Sequence, residues 1–391
     1  MLNTNFSPWP CFTQEEANAV ESVLLSNKVN YWTGNECRQF ENEFSDFTGS
    51  KYAVALSNGT LALDVAFKAL GVGEGDEVIV TPRTFLASVS SVVTAGANPI
   101  FADVDTNSQN IEAAAIELVI TPKTKAVVVV HLAGMPAEMD AIMALADKHC
   151  FYVIEDCAQA HGSKYKGQSV GSIGHIGCWS FCQDKIMSTG GEGGMVTTND
   201  KGLWSKMWSY KDHGKSHDAI YNDEHPPGFR WLHESFGTNW RMTEMQAAIG
   251  RIQIKRMVNW TVKRQANAKL IDDTAREFNV VRTVVVPNYI EHAEYKHYLF
   301  VRPDYLKRGW NRDRIVEEVS ARGVPCFQGS CSEVYLEKAF DGTGWRPKNR
   351  LKNAKELGET SLMFLVHPTL TATEMKKTKN VLGEVFKYAQ K

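Results

Sequence analysis

The sequence predicts an α/β protein with a mostly parallel central sheet, helices on both of its faces, and a smaller C-terminal α+β domain. Three observations predict this. From Tyr52 to Thr198, short apolar runs alternate with amphipathic stretches, the pattern of strand–helix units feeding a parallel sheet. Several of these runs end in small, polar or glycine-rich turns, where open sheets bind ligands. After Asp200 helical patterns dominate, and strand-like runs return only near Val280. The 391-residue length suits one large or two medium domains. We divide the chain into residues 1–260 and 261–391.

The elements follow in order. Thr13-Gln14-Glu15-Glu16 is a capping-box pattern, and Val20, Val23 and Leu24 follow at helical spacing. Tyr52 to Leu56 reads as a strand, and Thr60 to Leu70 as a helix closed by Gly71. Glu77 to Val80 is a strand, and Thr84 to Thr94 a helix. Pro99 to Ala102, Ala126 to His131 and Tyr152 to Ile154 are further strands, with a helix over Ala137 to His149. Gly177 to Cys182 and Met195 to Thr198 bracket a glycine-dense turn. Thr243 to Asn259 reads as a helix that continues toward Thr274. Val280 to Val286, Tyr298 to Pro303, an amphipathic Arg312 to Ser320 and a helical tail from Thr373 make the smaller domain.

Composition narrows the function. Apolar residues make up 43% and charged residues 23%, an ordinary globular balance. Lys plus Arg is 43 against 45 Asp plus Glu, a net charge of -2, which gives no electrostatic reason for a nucleic-acid or membrane partner. The N-terminus lacks the basic and apolar regions of a signal peptide, and Ala126 to Val130 is too short to span a bilayer. A cytoplasmic protein is expected, with its eight cysteines as free thiols. Neither Cys178/Cys182 nor Cys326/Cys331 has CxxC spacing, so no metal site is expected.

Three constellations carry chemistry. Ser57-Asn58-Gly59-Thr60 lies between a strand and a helix, where free backbone N–H groups suit a phosphate; equally, its polar residues could only cap the helix. Glu155-Asp156-Cys157-Ala158-Gln159-Ala160-His161 follows an apolar run. Asp156 therefore stands at a strand's carboxyl end, either to pair with a buried cationic nitrogen or as part of a surface acidic turn. Lys185 lies just past a strand and just before Gly190-Gly191-Glu192-Gly193-Gly194. It is either a semi-buried amine nucleophile or a solvated lysine beside a flexible loop. Jointly, a phosphate cradle, an acid and a lysine are the protein's half of a pyridoxal phosphate (PLP) site. The G-x-G-x-x-G of hydride-transfer enzymes and the Walker A loop are absent.

These residues, with Thr81-Pro82-Arg83-Thr84-Phe85, His131-Leu132-Ala133-Gly134, Ser180-Phe181, Asn239, Arg241-Met242 and His367-Pro368, resemble the DegT/DnrJ/StrS family of PLP-dependent sugar aminotransferases, of the aspartate aminotransferase type (fold type I). The resemblance runs from about Phe40 to Pro368. It implies that Lys185 forms the Schiff base and shuttles the proton, and that Asp156 pairs with the pyridine nitrogen. Gln159 would meet the ring hydroxyl and Phe85 stack on the ring, unless Phe85 is a core aromatic on a helix. Gly59, Thr60 and Ser180 would hold the phosphate. Asn239 would reach the phosphate of a neighbouring subunit in a homodimer with shared active sites, unless it only caps the helix near Thr243. Arg241, His297 and Tyr298 would lie near the substrate.

The resemblance further implies L-glutamate and 2-oxoglutarate as the donor pair and pyridoxamine phosphate as the intermediate cofactor form. The acceptor would be a keto sugar, either nucleotide-linked or another oxidised sugar such as an 8-oxo octulosonate. The product would be an amino sugar for bacterial polysaccharide or lipopolysaccharide. Two alternatives stand beside this: a PLP- or PMP-dependent sugar dehydratase, in which a histidine replaces the lysine, and a non-catalytic sugar sensor. Two departures from the family pattern are the extra leading glycine at Gly190 and the Gln183-Asp184 pair before Lys185.

Overall fold

A computed structural model describes residues 6–225 and 227–391. Two helices, α1 (Gln14–Leu25) and α2 (Glu36–Thr48), precede the first strand. The capping box at Thr13 is present, with Glu16 accepting from both Thr13 backbone and side chain. Helix α2 was not expected from the sequence. Its inward face carries Cys37, Phe40, Glu41, Phe44 and Thr48 at helical spacing.

The strands and helices then alternate as expected. They are β1 (Tyr52–Leu56), α3 (Gly59–Leu70), β2 (Glu77–Val80), α4 (Ala87–Thr94), β3 (Asn98–Phe101), α5 (Ala113–Glu117), β4 (Thr124–Val130), α6 (Met139–His149) and β5 (Tyr152–Asp156). A small hairpin, β6 (Lys164–Tyr165) and β7 (Gln168–Ser169), leads to β8 (Ile176–Ser180) and β9 (Gly194–Thr198). Seven strands form one sheet in the order β1-β9-β8-β5-β4-β2-β3. Strand β9 runs antiparallel to both neighbours, and the pairs from β8 to β3 are parallel.

The unbroken apolar strands have a physical reason. Val78, Val80, Ala126, Val128 and Val130 enter one core, while Ile79, Val127 and Val129 enter the core on the other face. A strand buried on both faces has no polar position to alternate with.

Helices α7 (Lys201–Tyr210), α8 (His217–Tyr221), α9 (Glu244–Ile254) and α10 (Met257–Ala275) follow. The single helix expected from Thr243 is in fact two, interrupted at Lys255–Arg256, and residue 260 lies inside α10. The helix expected from Thr84 starts at Ala87. Beyond α10 come β10 (Val281–Thr283), β11 (Ile290–Glu291), β12 (His297–Val301), α11 (Arg312–Ala321), β13 (Cys326–Phe327), α12 (Lys352–Thr360), β14 (Ser361–Phe364) and α13 (Ala372–Ala389). A four-stranded antiparallel sheet, β10-β12-β14-β13, packs with α10, α11 and α13 around a third core. Among the described residues no helix is long and apolar enough to cross a membrane.

Candidate active site

The site lies at the carboxyl ends of β1, β5 and β8, where the topology collects side chains from separate turns. At the end of β1, Asn58 caps α3 by accepting the Leu61 N–H at 3.0 Å. The N–H groups of Gly59 and Thr60, in the helix's first turn, have no acceptor within the helix. Gly59 is forced by packing: a Cβ there would sit 2.5 Å from the Ser180 Cβ. Gly194 is forced too, since a Cβ would meet the Asn58 carbonyl oxygen at 2.2 Å. The turn after β1 and the end of β8 thus touch, and Ser180 is brought beside the start of α3.

Asp156 ends β5 and is 7% exposed. Its Oδ2 accepts from the Ser88 hydroxyl at 2.7 Å, and its Oδ1 from the Ala158 N–H at 3.1 Å. The Ser88 hydroxyl lies 2.8 Å from that of Thr84. All these donors are neutral, and no cation lies within ion-pair distance of Asp156 among the described residues. A buried carboxylate normally has a cationic partner. A protonated pyridine nitrogen fits Asp156 as such a partner.

Gln159 uses its Oε1 to accept the Ala133 N–H at 2.8 Å. That bond fixes the amide orientation and leaves the NH2 group as donor, which suits a ring hydroxyl or phenolate. Phe85 lies ahead of α4, not on it, and is 71% exposed. It is not the core aromatic that the sequence left open.

Lys185 sits in the loop between β8 and β9, with its side chain 17% exposed. This loop is pinned. Ser188 donates its N–H to Gln253, Gln246 donates to the Glu192 carbonyl at 2.8 Å, and Thr189 donates to the same carbonyl at 2.6 Å. Gly190 and Gly191 have φ of 86° and 120°, a backbone region that favours glycine. The Trp9 indole N–H donates to the Lys185 carbonyl at 2.8 Å. Trp9 also packs edge-on to Trp260 and stacks on His367, with Arg264 over its ring. The N-terminal segment is therefore a strap across the lysine loop, and nothing in the sequence signalled it.

Behind the loop His161 packs against Trp179 and Phe181. Burial, then Lys185 and Arg264, push it down to about 3, so it stays neutral. Glu155, fully buried, accepts from the N–H groups of Gly171, Ile173 and Gly174 and lies 3.0 Å from His131 Nε2. His131 Nδ1 accepts the Ala137 N–H, so Nε2 carries the proton that faces Glu155. This pair fixes the end of β5, next to Asp156.

Asn239 is exposed, and Thr243, not Asn239, caps α9 with its own capping box. The preceding segment exposes Phe229, Trp231 and Phe236.

Three expected substrate residues are occupied otherwise. Arg241 pairs with the fully buried Asp212 at 2.5 Å, and Lys215 pairs with the same oxygen at 2.9 Å. His297 is buried between Glu294 at 3.1 Å and Asp272 at 2.9 Å. Burial pushes it down, but the two carboxylates outweigh this and raise it to about 10. Tyr298 is buried, with its hydroxyl accepting the Ser330 N–H at 2.9 Å. His297 and Tyr298 point into packing and ion pairs, which a strand position in the middle of a small sheet dictates.

Comparison with known proteins accords with this geometry. The model of the DegT/DnrJ/EryC1/StrS aminotransferase family matches residues 10–383. A GDP-perosamine synthase of Caulobacter vibrioides is 44% identical over 353 residues, covering 89% of this chain and 89% of that protein. The solved aminotransferase from Psychrobacter cryohalolentis superposes with a TM-score of 0.97 at 64% identity, covering 98% of this chain and 99% of the other. DesV of S. venezuelae, solved in complex with a ketimine intermediate, superposes with a TM-score of 0.84 at 29% identity over 95% and 94% of the two chains.

The fold and the match define a type I PLP-enzyme architecture. The chain belongs to the DegT/DnrJ/EryC1/StrS aminotransferase family, whose aminotransferases are PLP-dependent.

Proposed function

We propose that the chain is a sugar aminotransferase that takes the amino group of L-glutamate and places it on a keto sugar, making an amino sugar for a bacterial polysaccharide or lipopolysaccharide. The observation that carries the reading is Asp156: a buried carboxylate supplied only with neutral donors, at the strand end that faces the lysine loop. Bound against it, PLP supplies an electron sink for negative charge at the substrate carbon.

The residues divide the work. Lys185 Nζ holds the cofactor between turnovers, takes the proton from the substrate carbon and returns it. Asp156 keeps a proton on the pyridine nitrogen, with Ser88 orienting its Oδ2. Gln159 donates from its NH2 group to the ring hydroxyl. Gly59 and Thr60 offer N–H groups, and Ser180 its hydroxyl, to the phosphate. Phe85 covers one ring face and limits water access.

The exposed Asn239, preceded by exposed Phe229, Trp231 and Phe236, supports a homodimer in which Asn239 serves the neighbouring subunit's phosphate. Three large aromatics exposed within one short segment call for a partner. The names of relatives such as the Caulobacter enzyme support a nucleotide-linked keto sugar as acceptor. An 8-oxo octulosonate is the second candidate.

The test is the visible spectrum of the PLP-loaded protein before and after L-glutamate, with Lys185→Ala alongside. Loss of the lysine-bound band and growth of a pyridoxamine phosphate band, in wild type only, is expected. A band that ignores L-glutamate would reject that donor. Keto-sugar acceptors are then screened by return of the first band.

A further inference from the structure

The lysine loop carries an acid that the reading above leaves unused. Asp184 immediately precedes Lys185, and its Oδ1 lies 3.8 Å from Lys185 Nζ. Its Oδ2 accepts a hydrogen bond from the Tyr295 hydroxyl. The ring of the same tyrosine lies 5.3 Å from Lys185 Nζ to its centroid. One residue from the approach to β12 therefore both orients the carboxylate and flanks the amine.

Tyr295 is well placed to do this. It is buried, its N–H donates to the Ala133 carbonyl at 2.8 Å, and its own carbonyl accepts from Arg264 at 3.3 Å. Asp184 itself is exposed, so the loop alone would leave it free to turn into solvent. Loss of water on its protein-facing side would raise the Asp184 carboxyl, yet Lys185, the Tyr295 hydrogen bond and Lys296 hold it below its ordinary range.

The other charged and titratable groups around Lys185 do not duplicate Asp184. Lys296, 4.8 Å from the same ring centroid, and the buried Arg264 are cations. His161 and His367 are both pushed down to about 3, first by burial, and are neutral. Burial raises the Cys182 thiol on the same loop, and Glu192 lies beyond it, 3.9 Å from the Cys182 sulfur. Asp184 is the carboxylate within ion-pair distance of Lys185 among the described residues.

We propose that Asp184, held by Tyr295, is a positioning residue that keeps the proton on the Lys185 nitrogen in its bond to the cofactor. An anion beside a cationic nitrogen favours the charged form. Asp184 thus widens the pH range in which the lysine–cofactor linkage stays protonated and electrophilic toward the incoming amine. The inference rests on the PLP reading above.

The test separates the two. PLP-loaded wild type, Asp184→Asn and Tyr295→Phe are each reduced with borohydride, and the modified peptide is identified by mass. The visible band of each unreduced protein is then titrated from about pH 5 to about pH 10. The expected result is a midpoint lowered by about one pH unit in Asp184→Asn, the size of one close charge in a partly solvated site. Tyr295→Phe should lower it less, in the same direction. An unmoved midpoint in Asp184→Asn, with the cofactor still on Lys185, overturns the proposal and leaves the enzyme reading intact. An unmoved midpoint with a raised acceptor KM likewise overturns it and makes Asp184 a substrate contact. Wild type that cannot be reduced onto Lys185 overturns both.

Discussion

The floor of the site and its wall use buried charge in opposite ways. On the floor, Asp156 is a buried acid with only a serine hydroxyl and a backbone N–H to satisfy it. On the wall, the buried His297 is held by two acids at once, Glu294 and Asp272. An under-paired buried charge is kept because something else completes it. A saturated one is finished within the fold and fixes elements to each other. The wall cluster ties β12 to α10, whereas the floor leaves a place for a cation.

This contrast predicts opposite phenotypes, and the largest are on the floor. Lys185→Ala should lower turnover by about 10^4-fold, since on the proposed reading it removes both the covalent anchor and the proton carrier. Asp156→Ala should lower it by about 100- to 1000-fold while thermal unfolding stays near wild type. A strongly destabilised Asp156→Ala would show that the floor is structural after all, and would erase the contrast.

On the wall, His297→Gln leaves the buried Glu294 without that cation and the half-buried Asp272 with Arg276 alone, and should cost about 3 kcal/mol in denaturant unfolding. The pH dependence sharpens this. The folded protein raises His297 to about 10, above its ordinary value of about 6.5. Its contribution is therefore complete below about pH 6.5 and is lost as pH rises through about 10. The gap between wild type and His297→Gln should close over that window; a constant gap would mean that the ring acts by shape and not by charge.

The smallest effect tests the relay on the floor. Ser88→Ala removes one neutral hydrogen bond to Asp156 and should reduce kcat about fivefold, the worth of one such bond, with KM little changed. An equal effect on unfolding and on kcat would assign Ser88 to packing.

The same contrast explains what could be read from the sequence. The positions of Asp156 and Lys185 were legible because each follows an apolar run that must be a strand, and chain direction then dictates at which end of the sheet they stand. Gly59 was legible as the small residue between strand and helix. The partners that Arg241, His297 and Tyr298 take, Asp212, Asp272 with Glu294, and Ser330, could not be read, because they come from other turns and elements. No local pattern reveals such pairs. Helix α2 did carry a readable signal, with Phe40, Phe44 and Phe47 at helical spacing. Its buried Glu41, which takes Lys211 and the Ala55 N–H, interrupts the apolar face. Asp184 stood out only as a departure from a pattern, and its meaning needed Tyr295, which is 111 residues away.

The strap at Trp9 has a consequence for the order in which the protein is made. Trp9, translated ahead of the large sheet, holds the carbonyl of Lys185 and packs on Trp260, Arg264 and His367, while Ser7 bonds to Glu374. The large sheet has all its strands once Thr198 has emerged, and it can begin to form on the nascent chain. The lysine loop cannot be locked then, because part of its clasp comes from Trp260, Arg264 and His367, which follow the sheet in the chain. A growing polypeptide therefore carries an open, unfastened site after its sheet is complete, and fastening it waits for His367 and Glu374 to emerge.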